Sequence, residues 1–337
     1  MTITIKDIAK EANVSIATVS RVINNKDESI RKDTKERIKT IIRKHNYQPN
    51  RIARSMITKK TATLGLIIPD IQNPFFPELV RGVEDFANEN EYSVILCNTD
   101  GDLNRERKYL DLMKEKNVDG IIYTYAFAEL SKPLKGFLEE NNIPMVLLDR
   151  AEPNSKMSGV YVDNEKAGYM ATKHLISLNH KKIGCITGPE HIENSKERFS
   201  GYYQALKEAN IPLDKEIIFT GDYQMKGGYK AAKGLIKKEV TAIFTFNDLM
   251  AFGVYQAAAE LGRKIPDDLS VIGFDNIKYN HLLVPKLTTI EQSSYKMGEN
   301  AVELLLKQIK GTPEQEKETI IIEPLLMINE STSQNKL

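Results

Sequence analysis

Thr4-Ile5-Lys6-Asp7-Ile8-Ala9-Lys10-Glu11-Ala12-Asn13-Val14-Ser15-Ile16-Ala17-Thr18-Val19-Ser20-Arg21-Val22-Ile23-Asn24 is the stretch whose spacing decides how the front of this chain folds. Ile5, Ile8 and Ala9 fall on one face at i, i+3, i+4, so a helix is predicted over 5–12, with Thr4 as N-cap and Asp7 in its first turn. Asn13-Val14 is too short for anything but a tight connection. Ser15 then caps a second helix over 16–24, with Val19, Val22 and Ile23 as its apolar stripe. After the polar break 25–29, Ile38, Ile41 and Ile42 mark a third helix over about 32–45 that closes a small core. Two short helices on a brief turn, completed by a third, make a helix-turn-helix.

Beyond it, Tyr47-Gln48-Pro49-Asn50 is a stop signal, followed by an amphipathic piece over 50–57 and the polar run 58–63. Pro49 suits a helix start, but the piece is too short to be stable alone in water; it reads as a linker that orders on binding. From Leu64 the pattern becomes short β runs alternating with helices. Strands are predicted at 64–68, 93–96, 120–123, 145–148, 183–186, 242–246, 271–274 and 325–328. Helices are predicted near 75–89, 104–116, 131–141, 164–178, 197–209, 226–237, 248–262 and 294–309. This rhythm means parallel sheets with crossover helices, and eight helices exceed one sheet, so an α/β body of two similar lobes is expected. The tail 329–337 is polar and is expected to fray.

The 337 residues carry 47 basic and 46 acidic side chains, a net charge of +1. The average hides a division: residues 1–60 hold 15 Lys/Arg against 6 Asp/Glu, a surplus of +9, leaving −8 on the remainder. A basic module on an acidic body points to a nucleic-acid partner for the first segment only. Cys97 and Cys185 each sit in an apolar run, which excludes a disulfide framework and a CxxC metal pair. No apolar stretch approaches bilayer length, and Met1-Thr2-Ile3-Thr4-Ile5-Lys6-Asp7 lacks the apolar core of a signal peptide, so a cytoplasmic location is expected. Phosphate loops, HExxH, GxSxG and GxGxxG are absent. No cofactor or metal is implied, and the chain is not expected to be an enzyme.

On the second helix, Ser15, Ile16, Ala17, Thr18, Ser20 and Arg21 point away from the apolar stripe. Hydroxyls of Ser15, Thr18 and Ser20 can donate to phosphate oxygens, Arg21 can bond a guanine edge bidentately, and Ile16 and Ala17 suit thymine methyls. The string Thr4–Ala9, Ala12–Ser15 and Ala17–Asn24, continuing through Tyr47–Asn50 and Ala53-Arg54-Ser55, resembles the headpiece of the LacI/GalR family of bacterial transcriptional regulators. The resemblance extends over essentially the whole chain. It implies a DNA-binding set of Thr4, Ser15, Ile16, Ala17, Thr18, Ser20, Arg21, Asn24, Asn50, Ala53, Arg54 and Met56. Residues 50–57 resemble the family's hinge helix, with Met56 where most relatives place a leucine wedge, and Ala53 small enough for two such helices to pack. The implied organisation is a headpiece 1–46 and a hinge 47–62, then a periplasmic-binding-protein-like body. One lobe of that body takes 63–162 plus 293–322, the other 163–292 plus 323–330, and 331–337 is the frayed tail.

Ligands of such sheets lie at the carboxyl ends of the strands. Those ends carry Asn73-Pro74-Phe75-Phe76, Asp149-Arg150, Asn247-Asp248, Asp275-Asn276 and Glu291-Gln292, while Arg198 opens a helix. Carboxylates accept from vicinal hydroxyls, guanidinium and amide groups donate to sugar oxygens, and Phe75 and Phe76 cover apolar C–H faces. The set Asn73, Phe75, Phe76, Asp149, Arg150, Arg198, Asn247, Asp275 and Gln292 is similar residue for residue to the pentose site of ribose-binding proteins and ribose-operon repressors. Tyr223 falls where that site carries a third aromatic.

The resemblance therefore implies a homodimeric repressor that binds a pseudo-palindromic operator and is released by a free monosaccharide, ribose first among candidates. Dimer contacts are expected along 75–88 and 295–309. Two other triggers compete: a sugar such as sucrose, or a phosphorylated carrier protein acting as corepressor. The second is disfavoured by Glu303, where the branch that uses such a carrier has a basic contact.

Overall fold

The computed structural model describes residues 3–24, 26–47, 60–125, 131–150, 157–311 and 317–336, and the chain divides into two units, Met1–Thr61 and Ala62–Leu337.

In the first unit, α1 (Ile5–Glu11), α2 (Ile16–Ile23) and α3 (Lys32–Lys44) surround one small core. The N–H and hydroxyl of Thr4 both donate to Asp7 Oδ2, at 2.9 and 2.7 Å, which holds that carboxyl below its usual range. Asn13 turns the chain with φ 51°, a conformation asparagine tolerates better than most residues. Ser15 Oγ then accepts the Thr18 N–H at 3.1 Å and starts α2. Ile8, Ala12, Val19 and Ile38 are fully buried between the three helices. Glu11 closes the unit by accepting from Lys44 Nζ at 2.8 Å and pairing with His45 Nε2 at 2.7 Å.

The second unit holds β1 (Thr63–Ile68), α4 (Phe75–Glu89), β2 (Ser93–Asn98), α5 (Leu103–Glu115), β3 (Gly120–Tyr123), α6 (Lys132–Glu140), β4 (Met145–Asp149) and β5 (Ser158–Val162). It continues with α7 (Asn164–Ser177), β6 (Ile183–Thr187), α8 (Glu193–Glu208), β7 (Ile218–Thr220), α9 (Met225–Lys237), β8 (Ala242–Thr245), α10 (Asp248–Glu260) and β9 (Ser270–Asp275). It ends with β10 (Thr288–Glu291), α11 (Ser294–Lys310), β11 (Thr319–Ile322) and β12 (Leu325–Met327). Two six-stranded sheets result, β11-β5-β4-β3-β1-β2 in lobe 1 and β12-β10-β9-β8-β6-β7 in lobe 2. All neighbours pair in parallel except β10 and β12, which are antiparallel. Helices cover both faces of parallel sheets, which is why β4 and β6 are buried along their whole length rather than alternating.

The chain passes between lobes after β5, after β10 and after β11. On returning to lobe 1, α11 lies against α4 at backbone distance. A Cβ on Gly82 would sit 2.0 Å from the Tyr295 carbonyl oxygen, and one on Gly298 2.3 Å from that of Leu79.

Three expectations need correction. Strands β5, β7 and β11 lie outside the predicted set, and β10 is anticipated only through its end at Glu291-Gln292: β7 has three residues, and Thr288-Thr289-Ile290-Glu291 is short and polar. Helix α8 begins at Glu193, one turn ahead of the predicted 197, without a side-chain cap to announce it. Among the described residues the tail, 329–336, is not frayed. Ser331 is fully buried, and its Oγ donates to the Val271 carbonyl while accepting the Thr288 N–H at 2.7 Å. His180 Nε2 donates to the Ser333 carbonyl at 3.1 Å, and Asn335 N–H to that of Leu178 at 2.8 Å. Polar composition misled here because backbone and hydroxyl groups of the tail satisfy lobe 2 rather than water.

Candidate DNA-reading face and ligand cavity

On α2, Ser15, Ile16, Ala17 and Arg21 are exposed, while Thr18, Ser20 and Asn24 are half-buried. Ile16 is 44% exposed, unusual for a large apolar side chain in so small a unit. Arg21 has no acidic partner among the described residues. Other members of the predicted set are engaged within the unit. Ser15 Oγ and Thr18 Oγ1 hydrogen-bond each other at 2.9 Å, Asn24 Nδ2 donates to the Ser20 carbonyl at 2.7 Å, and Thr4 is committed to Asp7. Asn50, Ala53, Arg54 and Met56 lie outside the described residues.

In the second unit all ten predicted effector residues line one narrow cavity, joined by Ile192 and Asn194. Lobe 1 contributes Asn73, Phe75 and Phe76 at the start of α4, and Asp149 and Arg150 at the end of β4. Lobe 2 contributes Ile192 just before α8, Asn194 and Arg198 from α8, Tyr223, Asn247 before α10, Asp275 at the end of β9, and Gln292 after β10. Phe75 and Phe76 meet edge to face at 5.1 Å between ring centres, and Asn73 Oδ1 anchors the turn by accepting the Phe75 N–H at 3.1 Å.

Both carboxylates stand on left-handed backbone, φ 69° at Asp149 and 115° at Asp275. Such non-glycine strain persists only where the surroundings over-determine it. Asp149 Oδ1 accepts from Asn194 Nδ2 at 3.1 Å across the cleft, and its Oδ2 lies 3.7 Å from Arg150 Nε. Asp275 Oδ1 accepts from Gln292 Nε2 at 2.6 Å. Arg198 is held on every side: its Nε donates to Asn164 Oδ1 at 2.8 Å, its Nη1 to the Phe246 carbonyl, and its Nη2 to Gln292 Oε1 at 3.4 Å. The guanidinium also lies 3.6 Å over the Phe274 ring. Arg150 Nη1 donates to the Tyr125 carbonyl at 2.6 Å, and Asn247 Nδ2 to that of Tyr223 at 2.9 Å.

Burial pushes the Asp149 carboxyl above its ordinary range, and Arg150, Arg198 and Asn194 offset only part of that. Asp275 is pushed well above it by burial, opposed by Arg198 and reinforced by the charges of Asp248 and Asp149. Asp248 is itself raised to about 6 by burial. It accepts from Thr289 Oγ1 at 2.7 Å, the Ile277 N–H at 2.9 Å and Asn280 Nδ2 at 2.8 Å, and so fixes the turn that follows Asp275. Two buried polar atoms of the lining, Arg150 Nε and Asn194 Oδ1, have no hydrogen-bond partner among the described residues. One is a donor and one an acceptor, the pair of demands a hydroxyl meets. Among the described residues no group of three His, Cys, Asp or Glu could hold a metal, and no helix is long and apolar enough to cross a membrane.

Asn194 and Ile192 escaped the sequence reading because the first turn of α8 did. A polar side chain four residues before Arg198, on the same helical face, was the available signal.

A helix-turn-helix unit and a two-lobed body with a polar, aromatic-walled cleft define a DNA-binding regulator with a small-molecule site. Residues 4–50 match the family model for bacterial regulatory proteins of the lacI family, and 61–329 that for periplasmic binding proteins and the sugar-binding domain of the LacI family. The chain belongs to the LacI family. It is 41% identical over 312 residues to the ribose operon repressor of Halalkalibacterium halodurans, covering 92% of this chain and 91% of that one. It is 40% identical over 311 residues to the HTH-type transcriptional repressor PurR of Aliivibrio salmonicida, covering 91% and 92%. Among solved structures, a LacI family transcriptional regulator from Enterococcus faecium with bound ribose is 35% identical, with a TM-score of 0.74 and coverage of 81% of this chain and 100% of that one.

Proposed function

We propose that this protein is a homodimeric repressor of a carbohydrate-utilisation operon, released from a pseudo-palindromic operator by a free monosaccharide, with ribose the leading ligand. The observation that carries the reading is the balance of the cleft. Two carboxylate acceptors, two guanidinium donors, and Arg150 Nε and Asn194 Oδ1, which lack hydrogen-bond partners among the described residues, surround one small cavity beside the Phe75–Phe76 wall. A neutral polyol both donates and accepts at each hydroxyl and presents apolar C–H faces, so it satisfies this set without adding charge. The named ribose operon repressor and the ribose-bound structure support the same ligand. In this reading Ser15, Ile16, Ala17, Thr18, Ser20 and Arg21 face the operator, and Asn50, Ala53, Arg54 and Met56 belong to the hinge.

Sugar must bind one arrangement of the lobes better than another, and the operator must prefer the other arrangement; without that difference nothing switches. A phosphorylated carrier protein is a poorer trigger, since the exposed Glu303, paired with Lys307 at 3.3 Å, repels a phosphoserine. The test is a thermal-shift panel of ribose, other pentoses, hexoses, disaccharides, phosphosugars and nucleobases, followed by operator gel shifts with each binder. Stabilisation and operator release by ribose are expected. Stabilisation by a nucleobase or disaccharide but not by ribose would redirect the ligand assignment.

A further inference from the structure

Four side chains that do not line the inner cavity bridge the two lobes across the rim of the cleft. Asp70, in the turn after β1, accepts from Gln224 Nε2 at 3.0 Å. Its other oxygen is already fixed by the Gln72 N–H at 2.9 Å. Gln224 is the N-cap residue of α9, and its own N–H is held by Asp222 Oδ1 at 2.9 Å. The Asp70 carboxylate and the Gln224 backbone are thus fixed by their own turns, and only the Gln224 side chain has to be ordered in joining them. Elsewhere on the rim, Lys278 Nζ lies 2.6 Å from Glu78 Oε2. Glu78 belongs to the first turn of α4, and Lys278 to the short turn after β9. Each of the four adjoins cavity residues in sequence: Asp70 and Glu78 bracket Asn73–Phe76, Gln224 follows Tyr223, and Lys278 lies three residues beyond Asp275.

We infer that the Asp70–Gln224 and Glu78–Lys278 contacts are rim latches. These four positioning residues, which touch no ligand, set how much of the ligand-free protein has its lobes closed and how slowly a bound ligand leaves. Partners on different lobes meet only when the cleft is shut, so their contacts stabilise the closed arrangement alone. A ligand that needs that arrangement binds in proportion to its population. The interior bridge from Asn194 to Asp149 cannot do the same work, because a ligand in the cavity competes for those groups. The inference rests on reading the cleft as a ligand site.

The test places spin labels at Lys108→Cys on α5 and Lys230→Cys on α9, both exposed, with Cys97 and Cys185 buried. Interlobe distances are measured without ligand, in the otherwise wild-type protein and with Gln224→Ala plus Lys278→Ala. The closed-to-open ratio is expected to fall roughly three- to tenfold in the double variant, with an unchanged circular dichroism spectrum. In a background with Gln224 intact, Lys278→Glu alone should open the cleft, and Glu78→Lys added to it should restore closure. An unchanged ligand-free distribution in the double variant, or failure of the charge swap to restore closure, overturns the latches. A second arm adds ribose: faster ribose dissociation in the double variant, with unaltered association, supports them. A wild-type distribution that ignores ribose overturns the sugar assignment instead, and leaves the latches to be decided by the ligand-free arm.

Discussion

In the proposed reading, the outward face of α2 and the cleft of the body solve recognition in opposite ways. Arg21 is exposed and has no acidic partner among the described residues, and Ile16 is left in water. In the cleft, Arg198 is gripped by Asn164, Phe246, Gln292 and the face of Phe274, all groups of the chain itself. On that reading the difference follows from what each proposed partner, operator DNA and a neutral sugar, would bring. A polyanion supplies its own field and many contacts, so the reading residues can stay solvated until docking. A neutral small molecule brings only hydroxyls and C–H faces, so its site has to be organised in advance, because ordering it at the moment of binding would consume the affinity.

That contrast can be broken or sharpened by experiment. Asp149→Ala removes a buried carboxylate and leaves Arg150 and Asn194 without it; a loss of about 3–5 kcal/mol is expected. Calorimetry with ribose should show binding weakened more than a hundredfold, while gel shifts show operator binding retained. If ribose still releases that variant from DNA, the cavity is not the sensor. Arg21→Ala should cost about 1–3 kcal/mol of operator affinity and relax specificity at one base pair, with no change in melting temperature, because nothing inside the unit depends on it. Operator titrations against single-base variants would show this.

Acidification gives a smaller effect. Asp149 and Asp275 have carboxyls raised by burial, so protonation begins nearer neutrality than for ordinary carboxylates. Ionised acceptors favour the sugar, and ribose affinity should therefore fall as pH drops below neutrality. The apo body should move the other way. A raised carboxyl in the folded state contributes stability below its unfolded pKa and loses it as pH rises through the folded value; for Asp248 that window runs from about 4 to about 6. Thermal melts from pH 4 to 7, with and without ribose, separate the two trends. The smallest effect is at Ser15: Ser15→Ala removes the cap on α2 and should cost about 1 kcal/mol of headpiece stability, readable by denaturant unfolding of the full chain.

Much of this architecture was legible because its signals are local. Thr4, Asp7 and Ser15 announce their helices by capping chemistry, and the buried runs of β4 and β6 stand out as unbroken apolar blocks. Most of the cleft residues could be picked out because strand ends in a parallel sheet converge in space although they are far apart in sequence, whereas Tyr223 came only from the resemblance to a pentose site and Arg198 from a helix. What escaped was set by tertiary context. Strand β10 is polar because Thr289 serves the buried Asp248. The first turn of α8 carries no cap, and Asn194 earns its place only by meeting Asp149 on the opposite lobe. The tail looked like solvent-loving sequence because its partners, Val271, Thr288 and His180, lie 43 to 153 residues upstream.

That tail constrains the order in which the molecule can be built. The sheet of lobe 1 is completed by β11 at 319–322, and the floor of lobe 2 by Ser331 and Ser333 between β9, β10 and His180. Neither lobe can close early on the ribosome, whereas residues 3–47 have all their core partners within the first fifty residues made. During synthesis the helix-turn-helix unit is therefore finished long before the two-lobed body proposed to govern it.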